Sequence, residues 1–282
     1  ENRELLEILL MEDEEDSLAA FHGYLKETAN LKRFQRIFPV IATTCYSSYR
    51  LGAPKPQFDM TVMDEASQCS TAVSLVPIIR GERLMLVGDP QQLNPVILLD
   101  EVTNRRLRSK YMVPEEYDYR ANSVYKVYLA CDAVSDEVLL RYHYRCNRKI
   151  IDFNNRKYYN SRLLVRSGST EEEPLGYVDI PDGRSDEKNT APAEAEEIVR
   201  YAKQNRDKSI GIITPFVNQK KLIERRLAEE KLDHVSCGTV HAFQGDEKQV
   251  VLFSTALTDE THKGTYDWLK NNQELINVAA SR

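Results

Sequence analysis

Val62-Met63-Asp64-Glu65-Ala66-Ser67-Gln68 sets a short apolar run directly against two adjacent carboxylates. The run, Met60 to Met63, has the length and the abrupt polar ending of a strand buried on both faces of a parallel sheet. Phe38 to Ala42 and Leu84 to Val87 share that texture. So do Val138 to Leu140, Gly176 to Ile180, Ile210 to Ile213 and Val250 to Phe253. Between them lie helical patterns at 121–128, from Ile150 and Ile151 to Phe153 and beyond, at Glu194 to Gln204, and at 217–230. Leu5, Leu6, Leu9 and Leu10 lie at helical spacing, so residues 1–36 read as helix. Alternating strands and helices imply an α/β fold of mainly parallel sheets flanked by helices. The stretch from 98 to 137 is polar and tyrosine-rich, and the alternation resumes after it. This predicts two lobes, 1–137 (with the helical start 1–36) and 138–282.

Loops converge at the C-terminal edge of a parallel sheet, and ligands bind there. An aspartate at that edge, Asp64, suits Mg²⁺ held largely through water. Its neighbour Glu65 is placed to accept a proton from an attacking water. A helix N-terminus, which favours acids, accounts for the same pair. Leu84-Met85-Leu86-Val87-Gly88-Asp89-Pro90-Gln91-Gln92-Leu93-Asn94-Pro95 is a second strand running into a polar tip. Asp89 and Gln92 are candidates to meet Mg²⁺, water or a γ-phosphate. A plain turn explains Gly88-Asp89-Pro90, but not the paired glutamines that follow.

Leu140-Arg141-Tyr142-His143-Tyr144-Arg145-Cys146-Asn147 crowds arginines and tyrosines into one strand-to-helix passage. Arginine suits bidentate contact with phosphate oxygens, although a surface cation stacked on tyrosine would look the same. In Gly238-Thr239-Val240-His241-Ala242-Phe243-Gln244-Gly245-Asp246-Glu247, Gly245 allows a sharp turn. Thr239, Gln244 and Glu247 offer hydrogen-bonding groups there. Asn277-Val278-Ala279-Ala280-Ser281-Arg282 ends the chain.

Bulk properties narrow the classes. The 282 residues are enough for sizeable cores, and no apolar run approaches the ~20 residues that span a bilayer. The first residues lack the basic region of a signal peptide, and they read as a cut through a longer chain. The five cysteines form no C-x-x-C pair, which points to free thiols in a reducing, cytoplasmic setting. The five histidines are too scattered for a zinc site. A net charge of −6 argues against a compact sequence-specific DNA binder. It leaves room for a motor whose nucleic-acid track is a local groove.

DEASQ (64–68), GDPQQLNPV (88–96), YHYR (142–145), GTVHAFQGDE (238–247) and NVAASR (277–282) stand in this order. Together they resemble motifs II, III, IV, V and VI of superfamily 1 helicases, close to the group of the nonsense-mediated-decay RNA helicase and its DNA helicase relatives. The resemblance covers roughly residues 38 to 282 and implies two RecA-like lobes, the first incomplete. It implies ATP and Mg²⁺ as cofactors, single-stranded DNA or RNA as partner, a monomer, and 5′ to 3′ travel. On the matched positions, Asp64 would hold Mg²⁺ and Glu65 would orient or deprotonate the attacking water. Gln92 would sense the γ-phosphate. Arg145 and Arg282 would be arginine fingers. Tyr144 would stack on adenine, and Glu247 would contact the ribose. Each role is one that phosphoryl transfer needs.

Two further stretches resemble the family's track-facing segments. These are Val40-Ile41-Ala42-Thr43-Thr44-Cys45 and Gly211-Ile212-Ile213-Thr214-Pro215-Phe216. They imply that Thr44, Thr214 and Pro215 touch the strand, although a buried strand ending in a turn accounts for either one alone.

A phosphate-cradling loop, G-x-x-x-x-G-K-[ST], is not found, since no glycine here precedes a lysine. These 282 residues alone are therefore expected to hydrolyse ATP poorly or not at all. The alternative expectation is a nucleotide-free module that binds nucleic acid or protein on helicase architecture.

Overall fold

The leucine spacing at the start folds as three helices: α1 (Arg3–Leu9), α2 (Glu14–Lys26) and α3 (Thr28–Ile37). Asp13 begins α2 by accepting a hydrogen bond from the Asp16 amide at 2.9 Å. Extended backbone at Glu27 separates α2 from α3. Leu5, Ile8, Tyr24, Leu25 and Leu31 bury one face of each helix in a common core with Leu51.

The protein is described by a computed structural model over residues 2–131, 137–181, 183–243 and 248–281. Their contacts divide into two units, residues 1–90 with 94–135, and residues 91–93 with 136–282.

In the first unit, β1 (Phe58–Met63), α4 (Thr71–Ile78) and β2 (Gly81–Leu86) form a strand–helix–strand crossover. The strands pair in parallel, from Phe58 opposite Gly81 to Met63 opposite Leu86. α5 (Glu101–Tyr111) and α6 (Val124–Cys131) follow. Burial on both faces was expected here, and the structure corrects it. Met63, Leu84 and Leu86 pack with Ile78, Ala66 and Val124. The alternate positions Met60, Val62 and Met85 remain exposed, Val62 at 57%. Strand side chains alternate between faces, and among the described residues only one face is covered.

Three expected strands do not form among the described residues. Phe38 to Ala42, Val138 to Leu140 and Gly176 to Ile180 are irregular, and Val40 is 86% exposed. An apolar run becomes a strand only where a neighbouring backbone satisfies its amide and carbonyl groups. These runs have no such ladder.

Arg80 is a buried cation held without an acid. Its guanidinium donates to the carbonyls of Leu51 at 3.1 Å, Val76 at 2.6 Å, Tyr49 at 3.2 Å and Gly52 at 3.4 Å. It thereby ties the 49–52 turn to the end of α4. Burial holds its pKa below the usual arginine value.

The second unit contains β3 (Tyr142–His143), α7 (Arg148–Tyr158), β4 (Leu164–Val165), α8 (Pro192–Gln204), β5 (Ile210–Thr214) and α9 (Val217–Glu229). Then come β6 (Val235–Thr239), β7 (Val250–Phe253), α10 (Lys263–Asn271) and α11 (Gln273–Ala279). β6, β5 and β7 form a parallel sheet with β5 in the middle. β3 and β4 form a separate parallel pair.

Every residue of β5 is buried. Ile210 and Ile212 pack with α8 and α9 through Ala195, Ile198, Leu222 and Ile223. Ile213, on the opposite face, packs with Leu93, Val240, Phe243, Leu275 and Val278. Gly211 shares that second face, and a Cβ there would lie 2.3 Å from Phe243 Cζ. Only glycine lets the ring lie so close to the strand.

Candidate nucleotide and nucleic-acid site

In the first unit the two parallel strands deliver two loops side by side. The ladder continues past both strands: the Val87 amide donates to the Met63 carbonyl and the Ala66 amide to the Val87 carbonyl, both at 2.8 Å. Gly88 then lies against the turn that follows β1, where a Cβ would sit 2.8 Å from the Ser67 amide nitrogen. The Asp89 amide donates to the buried Ser67 hydroxyl at 3.3 Å. Asp64, Glu65 and Asp89 are thus gathered at the C-terminal edge of this sheet.

The acidic turn is itself constrained. Glu65 adopts φ 51°, a left-handed conformation that a side-chain-bearing residue rarely takes. Two hydrogen bonds hold it there. Its amide donates to Asp64 Oδ1 at 2.9 Å, and its carboxylate Oε2 accepts from Gln68 Nε2 at 2.8 Å. Backbone strain that neighbouring contacts maintain is a recurrent mark of functional turns. Asp64 stays exposed, with only one oxygen in the bond to Glu65. That donor set fits Mg²⁺, which keeps several waters and takes few protein carboxylates. Among the described residues no group of three or more His, Cys, Asp or Glu side chains could hold a metal ion.

Thr44 is exposed, and its hydroxyl accepts from the Ser47 amide at 3.1 Å. It therefore shapes the turn that follows. Burial, with Cys45 alongside, pushes the Cys69 thiol up to about 11, so that thiol stays protonated.

In the second unit, Thr214 and Thr239 face each other in register at the ends of β5 and β6. Thr214 is fully buried and its hydroxyl accepts from the Phe216 amide at 3.4 Å. Thr239 is half-buried and accepts from the Ala242 amide at 3.4 Å. Pro215, half-buried, follows directly.

Gln91–Leu93 belong to this unit. Leu93 is 1% exposed in the core cluster with Ile213 and Phe243. Asn277 Nδ2 donates to the Gln91 carbonyl at 2.8 Å and to the Tyr159 hydroxyl at 3.0 Å. Asn154 Nδ2 in turn donates to the Asn277 carbonyl and to Asn277 Oδ1, both at 2.7 Å. Gln92 is therefore held between two fastened neighbours. Reading the sequence missed Ser67, Gly88 and Asn154 as positioning residues, and it gave Asn277 no role. Their partners lie far away along the chain.

Tyr144 and Arg145 follow β3 and are exposed. The Tyr144 ring lies 6.4 Å from that of Tyr142, and the Arg166 guanidinium sits 5.7 Å from the Tyr142 ring. His143 fixes this passage, its Nε2 accepting from the Cys146 amide at 2.9 Å. The Cys146 thiol donates to the Ser281 carbonyl at 3.2 Å. Gly245, Glu247 and Arg282 lie outside the described residues.

Burial, reinforced by the Arg145 charge, lowers the His143 pKa below 6.5. The unfolded chain therefore takes up the proton more readily than the folded one. Stability should fall as pH drops through 6.5 and level off beneath the lowered folded value. His22 and His241 are shifted in the same direction, mainly by burial. His143→Gln, which keeps an acceptor, should therefore flatten only part of the melting-temperature profile. An unaltered profile would contradict the role given to this ring.

A family model described as an AAA domain matches residues 121–282, and a second with the same description matches residues 20–99. The chain belongs to the AAA domain family. Its likeness to superfamily 1 helicases holds at low identity. The DNA replication ATP-dependent helicase/nuclease DNA2 of Gallus gallus is 26% identical over 92% of this AAA-domain chain and 25% of its own length. RNA helicase Mov10l1 of Mus musculus is 27% identical over 95% of the chain and 26% of its own. Helicase SEN1 of Saccharomyces cerevisiae is 28% identical over 80% of the chain and 11% of its own. The chain thus spans about a quarter or less of these curated relatives. Among the described residues no helix is long and apolar enough to cross a membrane.

Proposed function

We propose that this chain is part of the motor core of an ATP-dependent helicase that travels 5′ to 3′ on single-stranded nucleic acid as a monomer. We assign it two RecA-like lobes, 1–137 and 138–282, bounds that differ from those of the two units at residues 91–93 and 136–137. The observation that carries the reading is the fastening of the Gly88-Asp89 turn onto the Asp64-Glu65 turn. It presents three acids at one sheet edge, held by Ser67 and Gln68.

In this reading Asp64 holds Mg²⁺, which would offset charge on the phosphates. Asp89 adds a further acceptor beside it, and Glu65 orients the attacking water and takes its proton. Gln92 reports the γ-phosphate, and its position is set by Leu93 and by the Asn277 bond to Gln91. Tyr144 stacks on the adenine, Glu247 contacts the ribose, Gly245 is a further nucleotide-binding position, and Arg145 and Arg282 stabilise developing charge. Thr44, Thr214, Pro215 and Thr239 line the track. Thr214, buried as it is, contributes through the backbone at the end of β5. Such contacts position a strand without reading its sequence. A reducing, cytoplasmic setting accords with the free cysteines.

Relatives are named for both DNA and RNA, so the test uses both. Fluorescence anisotropy with labelled single-stranded DNA and RNA across a salt series should show binding that weakens as salt rises. The absence of binding to either at low salt would overturn the proposal. Lacking a Gly-Lys cradle, these 282 residues should release negligible phosphate in a malachite-green assay with single strands present. Robust turnover that Glu65→Gln abolishes would refute that inactivity and support the role of Glu65.

A further inference from the structure

Just past the C-terminal end of β5 a cavity of about 580 Å³ opens within the second unit. Pro215 and Phe216 line it from the connection between β5 and α9, and Asn218 from the first turn of α9. Lys188 lines it from the preceding loop, and His262 and Trp268 from the start and body of α10. Phe216 is buried, while Trp268 is 43% exposed with its ring 5.7 Å from that of Phe216. A large aromatic left half in water beside a cavity has apolar surface still to cover.

The lining is held in place before any ligand arrives. Asn218 Nδ2 donates to the Lys188 carbonyl at 2.9 Å, and the Thr265 hydroxyl donates to Asn189 Oδ1 at 3.4 Å. The buried Thr190 hydroxyl donates to Asp186 Oδ1 at 2.8 Å and accepts from the Glu187 amide at 3.1 Å. His262 Nδ1 accepts from the Gly264 amide at 3.1 Å. In the neutral ring the proton is therefore on Nε2, which becomes a donor.

We propose that this cavity takes one nucleobase of the bound single strand, stacked on Trp268, with Lys188 meeting the adjoining phosphate. The inference rests on the helicase reading and adds a gripping subsite to it. Volume, an aromatic face, a lysine in the lining and the His262 Nε2 donor together match a nucleotide better than an apolar side chain, which would leave that donor and that charge unmatched. Pro215 both lines the cavity and stands in the segment assigned to the track. Stacking of this kind accepts any base, as a translocating motor requires.

Trp268 is the chain's one tryptophan, so its emission reports this site alone. Oligothymidylate and oligouridylate should bind, by anisotropy, and quench that emission. An abasic strand of equal length should bind about 10-fold more weakly and leave the emission unchanged. Trp268→Leu should weaken binding of the base-bearing strand about 10-fold, with the abasic strand unaffected. Trp268→Phe, which keeps a ring against Phe216, should retain most of the affinity and shows that the fold tolerates the change. Binding with unquenched emission, or equal affinity for abasic and base-bearing strands, would overturn the subsite and leave the helicase reading standing. No binding of any strand would overturn both.

Discussion

Gly211→Val should lower the melting temperature of the second unit by about 10 °C, from a loss of roughly 3 kcal/mol. The missing side chain of Gly211 is space that the Phe243 ring occupies. An added Cβ would meet Phe243 Cζ at 2.3 Å, Phe243 Cε1 at 2.8 Å and Lys248 Cγ at 2.9 Å. Elsewhere on the strand a valine would be an ordinary choice, since β-branched residues suit strands. Here β5 is the central strand, flanked by β6 and β7, and it cannot retreat without breaking a ladder. The ring must move instead, and with it the cluster joining Ile213, Val240 and Leu275. Differential scanning calorimetry tests this. A variant melting within a degree or two of the parent would show that Phe243 is not wedged against the strand.

Leu93→Ala should cost about 3 kcal/mol, and the damage should stay local. Leu93 is one of the largest fully buried side chains, and its neighbours Ile213, Phe243 and Val278 are fixed by strand and helix. They cannot collapse far into the void. Hydrogen exchange resolved by peptide should show faster exchange in β5 and α11 and unchanged rates in β1 and β2. Leu93→Met, which roughly conserves volume, should leave both near the parent. Equal loss of protection in β1 and β2 would mean that Leu93 serves the first unit instead.

The parts legible from sequence were those in which pattern and packing coincide. Ile210 to Ile213 is a dense β-branched run between two amphipathic helices, and β5, α8 and α9 stand where that pattern puts them. Met60 to Met63 and Leu84 to Val87 read correctly as strands but not in their burial, because composition does not say whether a second layer covers a sheet. Val138 to Leu140 and Gly176 to Ile180 look no different from true strands in isolation. Whether they pair is decided by backbone far away in sequence. β6 escaped notice because Ser236 and Gly238 interrupt its apolar pattern. α5 escaped because its run of arginines and lysines resembles a loop.

At the candidate site, the acidic pair and the Gly88-Asp89 turn were legible one by one. Their fastening was not, since it depends on a serine hydroxyl and a glycine's missing Cβ meeting across about twenty residues. The Asn154–Asn277–Gln91 relay was equally hidden, because an asparagine carries no signal of its distant acceptor.

The excursion of Gln91–Leu93 has a practical consequence for anyone dividing this polypeptide. The connection between the halves is not a single tether at the end of α6, because the chain has already visited the second half once, forty residues earlier. A recombinant piece beginning at residue 136 would lack a plug belonging to its own interior, and would carry a leucine-sized hole where Leu93 belongs. Supplying that hole with a short synthetic peptide spanning the excursion is the natural way to make the severed half whole.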